Sequence, residues 1–213
     1  MRKGLEKSRQ EDIGALTLTE QIKRLVSVSD DDLRHQLSRI DLDIDDTKFT
    51  QSFNAYGLTN AILLLDLEKL ISISECLLDF PKQVLDNIRL QGAIVLRAYI
   101  ALVYMRSEHL ERGLDRLEEN SPIQPFRDFF RTGSRKRGND TLSQHIRNSL
   151  CHGQFHFSDD TQYITFRDRD WKETIESVHF FNGLCRQVHR FYLRAYEVKH
   201  RKTDSIWISS MNL

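Results

Sequence analysis

The sequence predicts an all-α protein that carries one small β-hairpin. Three observations lead there. Leu, Ile, Val and Phe recur every three to four residues through most of the chain, the spacing of an amphipathic helix. Only three prolines and nine glycines interrupt 213 residues, too few to cut the helices often. Polar–apolar alternation marks two short stretches within 154–166, where it reads as paired strands.

Taken in order, residues 1–16 are polar and mixed, and the first helix is expected over 17–27. Ser29 followed by Asp30, Asp31 and Asp32 opens a second helix, to about Ile40. The serine is a capping residue, and the carboxylates complement the positive end of the helix dipole. Residues 41–47 alternate Asp with Leu or Ile and read as a loop. A strongly apolar helix over 49–79 ends at Pro81, and another is expected over 82–118, bent or interrupted at Gly92 and Gly113. Within it, Arg97 needs a partner, most simply Asp66 or Glu75. A short aromatic helix (123–131), the loop 132–140 and a helix over 141–152 follow. Gly153 then stands where a helix stop is expected. The hairpin comes next, and a last helix over 171–200, started by Asp168 or Asp170, brings Trp171, Ile175, Val178, Phe181, Leu184, Val188, Phe191 and Leu193 to the core. Residues 1–48 read as a helical extension and 49–213 as the main domain, with a single domain over 17–213 as the alternative.

Composition excludes several function classes. Thirty-one basic residues balance thirty-one acidic ones, so net charge selects no partner. The three cysteines (Cys76, Cys151 and Cys185) are widely spaced and form no CxxC pair, which argues against a disulfide framework and against zinc. No His/Asp/Glu cluster has metal-ligand spacing, so neither a metal nor another cofactor is expected. Residues 1–7 lack an apolar run, and charges at Asp66, Glu68, Lys69 and Arg97 break the apolar stretches. The expectation is a cytoplasmic protein without a membrane segment.

The chemistry concentrates in Gln144-His145-Ile146-Arg147-Asn148-Ser149-Leu150-Cys151-His152-Gly153. On a helix, Leu142, Ile146 and Leu150 form an apolar seam, while His145, Asn148 and His152 share a second face. Arg147 lies about 140° around from His152 on the ideal wheel. Two arrangements could bring them together: a loosened helix end at Gly153 with the long reach of Arg, or two copies of the helix meeting across a two-fold axis. Imidazole can act as base or acid near neutral pH, and guanidinium grips phosphate oxygens through paired donors. RNA brings its own nucleophile, the 2′-OH, so this set suits metal-independent cleavage. Basic residues at Arg131, Arg135, Lys136 and Arg137, just ahead of the helix, are candidates for phosphate attraction, and His145 and His156 for RNA contact.

Arg147-Asn148-Ser149-Leu150-Cys151-His152 resembles the R-N-x-x-x-H signature of HEPN-domain proteins. The apolar residue before the Arg, the Gly after the His, the hairpin and the long last helix extend the likeness over roughly 50–200. The resemblance implies an HEPN-like bundle of four to five long helices, often a two-fold homodimer with a composite active site. It implies phosphate engagement and catalysis by Arg147 and His152, supported by Asn148. The implied activity is a metal-independent endoribonuclease of a toxin–antitoxin or phage-defence system, with RNA as substrate and an antitoxin or regulatory protein as a further partner. The alternative is a non-catalytic HEPN module that binds RNA, nucleotide or a protein. One departure stands out. The toxins modified by a partner nucleotidyltransferase carry Tyr two residues after the His, and this chain has Gln154.

Overall fold

A computed structural model describes residues 18–40, 42, 44–64, 82–118, 120–130 and 141–200. The chain is mostly helical, with a small three-stranded antiparallel sheet. Helices α1 (Leu18–Val26), α2 (Asp30–Leu37), α3 (Asp46–Leu63) and α4 (Lys82–Ala98) are followed by a π-helical turn, Tyr99–Tyr104. Then come α5 (Glu108–Leu114), α6 (Gln124–Phe130), α7 (Leu142–Cys151), strands β1 (Phe155–Phe157), β2 (Ile164–Asp168) and β3 (Trp171–Ile175), and α8 (Val178–His200).

Local chemistry accounts for the boundaries. Ser29 caps α2, accepting a bond from the Asp32 amide at 3.1 Å, and Asp45 caps α3 through the Lys48 amide at 2.8 Å; each satisfies an amide that the helix leaves open. The helix expected over 82–118 is interrupted, but not at Gly92 or Gly113. The break lies at 105–107, and α5 leaves at 75° to α4 and its π-turn. Ser107 takes an extended backbone and caps the Leu110 amide, so a capping residue ends the run where apolar periodicity alone carries it through. Gly92 sits inside α4 and Gly113 inside α5. The role of Gly113 is close approach: a Cβ there would come within 2.3 Å of the Ile40 side chain.

The second correction concerns the last helix. It starts at Val178, not 171, and Ser177 caps it through the Phe180 amide at 3.3 Å. Trp171 and Ile175 belong to β3, which pairs with β2 (Ile164 opposite Ile175, Asp168 opposite Trp171). The capping role expected for Asp168 or Asp170 is therefore not filled: Asp168 ends β2 and Asp170 lies in the turn.

α8 is the axis of the core. α1, α2, α4 and the π-turn all pack on it. Ile22, Leu25, Leu33 and Leu37 from the first two helices join Phe126, Phe130, Phe181, Leu184, Val188 and Phe191 in one apolar cluster. Burying each such side chain is worth roughly 1.5–3 kcal/mol. Arg194 of α8 reaches back to Asp30 at 2.5 Å, so part of the acidic start of α2 is an anchor for the last helix. Buried Arg97 bonds to Thr59 Oγ1 (2.7 Å), Asn182 Oδ1 (2.8 Å) and Asn60. Its expected partners Asp66 and Glu75 lie outside the described residues, as do Cys76, the basic residues Arg131, Arg135, Lys136 and Arg137, and the ends of the chain.

Candidate functional site

The motif forms α7 as expected. Thr141 caps it through the Gln144 amide at 3.3 Å, and Ile146 and Leu150 are buried along its seam. Its end is tightly specified. Gly153 takes φ +64°, the Gln154 amide bonds back to Ser149 O at 2.8 Å and the Gly153 amide to Leu150 O at 3.4 Å. This double closure around a left-handed glycine is the Schellman stop, and it leaves His152 exposed at the C-cap, just past the last helical residue.

Arg147 is turned into the protein. It is 7% exposed. Its Nη2 donates to Glu111 Oε1 at 3.2 Å and to Ser143 Oγ at 2.9 Å, and the guanidinium lies over the Phe130 ring at 5.9 Å. Glu111, from α5, also accepts from Arg106 Nε at 3.4 Å and from the Tyr192 hydroxyl at 3.5 Å. Burial pushes the Glu111 carboxyl up and the Arg147 guanidinium down; their mutual attraction works against both shifts. The contacts of Arg147 thus run to α5 and α6, while His152 faces solvent at the helix end. Within one chain the structure does not bring the two onto a common phosphate.

The other polar face of α7 meets the sheet. Along β2, Ile164, Phe166 and Asp168 point to the core side. Asp168, buried there, accepts from Asn148 Nδ2 and pairs with His145 Nδ1, both at 2.9 Å on the same carboxylate oxygen. The His145 ring stacks on Trp171, with centroids 4.6 Å apart and planes at 6°. Ser149 adds a bond from its hydroxyl to Arg167 O at 2.7 Å. Asn148 and His145 are therefore a clamp between α7 and the sheet. Asp168 was missed as a site residue. The signal for it was the period of two along 164–168, which places an acid on a buried face where it needs partners. Asp168→Ala is expected to lower stability by about 2 kcal/mol, since two buried bonds to a charged acceptor are lost while water reaches part of Asn148. Thermal unfolding measures it, and an unchanged midpoint would remove the clamp.

Past the Schellman turn lies an open basin of about 640 Å³ lined by Gly153, Gln154, Phe155, His156, Arg167 and Arg169. His156, Arg167 and Arg169 are exposed, and exposed His152 directly precedes Gly153 in the chain. His156 thus stays with the site, whereas His145 sits on the other side of the sheet against Trp171. Arg167 and Arg169 escaped the sequence reading because β3, which makes their hairpin, was read as helix. Among the described residues, no group of three or more His, Cys, Asp or Glu could hold a metal ion, and no single helix is long and apolar enough to cross a membrane. No family model, no curated protein and no solved structure matches the chain.

Proposed function

We propose that the protein is a metal-independent endoribonuclease of HEPN type in which His152 transfers the proton. The observation that carries this reading is an exposed His152 on a fixed helix end, one residue before the glycine that opens a basin lined by a second imidazole and two guanidinium groups. RNA cleavage by its own 2′-OH asks for this set. One imidazole takes the 2′-OH proton, and the oxygen attacks phosphorus. Guanidinium carries the charge of the crowded phosphorane, and the second imidazole protonates the departing 5′-oxygen. The products are a 2′,3′-cyclic phosphate and a 5′-hydroxyl. In this chain His152 and His156 are the proton-transfer pair, and Arg167 and Arg169 hold the phosphate. Arg147 acts through α7, as the residue that fixes the helix against α5.

A labelled RNA incubated with the protein in EDTA tests this. Cleavage with cyclic-phosphate ends is expected, and His152→Ala is expected to reduce it by about 10²–10⁴-fold with the fold intact. Cleavage that is equal in the variant overturns the role of His152. If the enzyme serves growth control or phage defence, as the HEPN resemblance implies, expression arrests growth and His152→Ala relieves the arrest.

The second reading, an HEPN module that binds RNA without cutting it, is favoured by one observation. Both Arg147 and Asn148 of the signature are engaged inside the protein, with Glu111 and Asp168. Tight RNA binding without turnover in the same assay selects it.

A further inference from the structure

We propose that the outer face of the three-stranded sheet is a track for the phosphodiester backbone of RNA, leading from the basin across the strands to Lys172. The proposal deepens the ribonuclease reading and rests on it for the identity of the polymer.

The register decides which side chains share this face. His156 is opposite Thr165, Thr165 opposite Thr174, and Arg167 opposite Lys172. Directly opposite residues of antiparallel strands point the same way, and the direction alternates along each strand. Ile164, Phe166 and Ile175 are buried on the inner face. The outer face therefore carries His156, Arg167, Lys172 and Thr174, all exposed, with Thr165 tied to Thr174 through their hydroxyls at 2.8 Å. Among the described residues, the strands place no carboxylate on it. By register Glu173 belongs to the inner side, and Asp168 is held beneath the sheet by His145 and Asn148. Asp170 lies in the turn beside Arg169, and exposed Glu173 follows Lys172 on the opposite side of the strand.

Among the described residues no carboxylate pairs with Arg167, Arg169 or Lys172, whereas Arg34, Arg106, Arg147 and Arg194 all have acidic partners. Arg169 also holds φ +56°, a conformation that costs a non-glycine residue about 1 kcal/mol or more, at the tip of the β2–β3 hairpin and on the basin. Opposite residues on adjacent strands lie about 5 Å apart and diagonal ones about 7–8 Å. The cations thus form a row at a spacing that successive phosphates of one strand can meet. Apart from His156 the three strands place no aromatic side chain on this face, and exposed Tyr163 lies just ahead of β2. Recognition is therefore of the charged backbone, tolerant of sequence and sensitive to salt.

The test uses a fluorescent RNA oligomer, methylated at every 2′-oxygen so that it cannot be cut, and reads its anisotropy as protein is added at several salt concentrations. Lys172→Glu lies outside the basin and on an exposed strand position, so it probes the track without touching the proton-transfer pair. It is expected to weaken binding about tenfold and to lower the salt slope by about one, while Arg116→Glu, an exposed reversal after α5, leaves both unchanged. Wild-type affinity and slope in Lys172→Glu and in Arg167→Glu overturn the track. The ribonuclease reading is judged separately, on unmodified RNA in EDTA. Dependence on Lys172 without cleavage keeps the track and removes the enzyme; cleavage without that dependence does the reverse. Failure of the wild-type protein to bind the oligomer at low salt overturns the track as well.

Discussion

Arg147→Ala is expected to lower the free energy of unfolding by about 3–5 kcal/mol, the usual cost of breaking a buried ion pair from one side. The guanidinium is nearly enclosed, bonded to Glu111 and Ser143 and laid over Phe130. Its removal leaves the Glu111 carboxylate, in a site that already disfavours its charge, with only the long contacts to Arg106 and Tyr192. Truncation also leaves a hole beside Phe130. Urea unfolding followed by circular dichroism measures the loss. The double replacement Glu111→Leu with Arg147→Met is expected to recover much of it, because both buried charges leave together. An unchanged midpoint in Arg147→Ala, with cleavage abolished, would return Arg147 to the catalytic role that the R-N-x-x-x-H likeness implies. The size of the effect bears on how activity data are read. A dead Arg147→Ala enzyme says nothing of phosphate chemistry unless its fold is shown to be intact, whereas exposed His152 can be removed cleanly.

The helices were legible because their evidence is local. Ser29 and Thr141 cap where their side chains suit an open amide, and Gly153 stops α7 where only a left-handed backbone closes the turn. Apolar period located the core face of the last helix at Val178, Phe181, Leu184, Val188 and Phe191, all buried. What stayed hidden depends on partners distant in sequence. The wheel separates Arg147 from His152, but nothing near Arg147 in the chain announces Glu111, 36 residues earlier. β3 was lost for a different reason. Two-residue hairpin turns are flagged by Asn or Gly, which take positive φ cheaply; here Arg169-Asp170 makes the turn, with the strained position on an arginine. Without a turn signal, Trp171–Ile175 merged into the following helix, and Asp168 and Arg167 lost the face assignment that would have marked them. A costly backbone and an unneutralised cation coincide at this turn, on Arg169.

His189 should make the protein acid-sensitive by roughly 3 kcal/mol. Its ring lies in the core of α8, stacked on Tyr56 with centroids 3.8 Å apart and near Phe53, and its Nε2 is buried without a hydrogen-bond partner. Burial pushes the imidazole down to about 4, against about 6.5 in the unfolded chain. The unfolded state thus takes up a proton at a pH where the folded state still refuses it. The contribution is fully present above pH ~6.5 and is lost progressively as pH falls toward 4, at about 1.4 kcal/mol per unit. Carboxylates titrate over part of the same range, so the quantity to measure is the difference between wild type and His189→Phe, in which an apolar ring keeps the stack on Tyr56. The two proteins should diverge below pH 6.5, with the variant losing less stability on acidification. Parallel curves from pH 7 to 4 would mean that the imidazole is protonated as readily inside the core as outside it, and that the space around Tyr56 admits the water needed to solvate that charge.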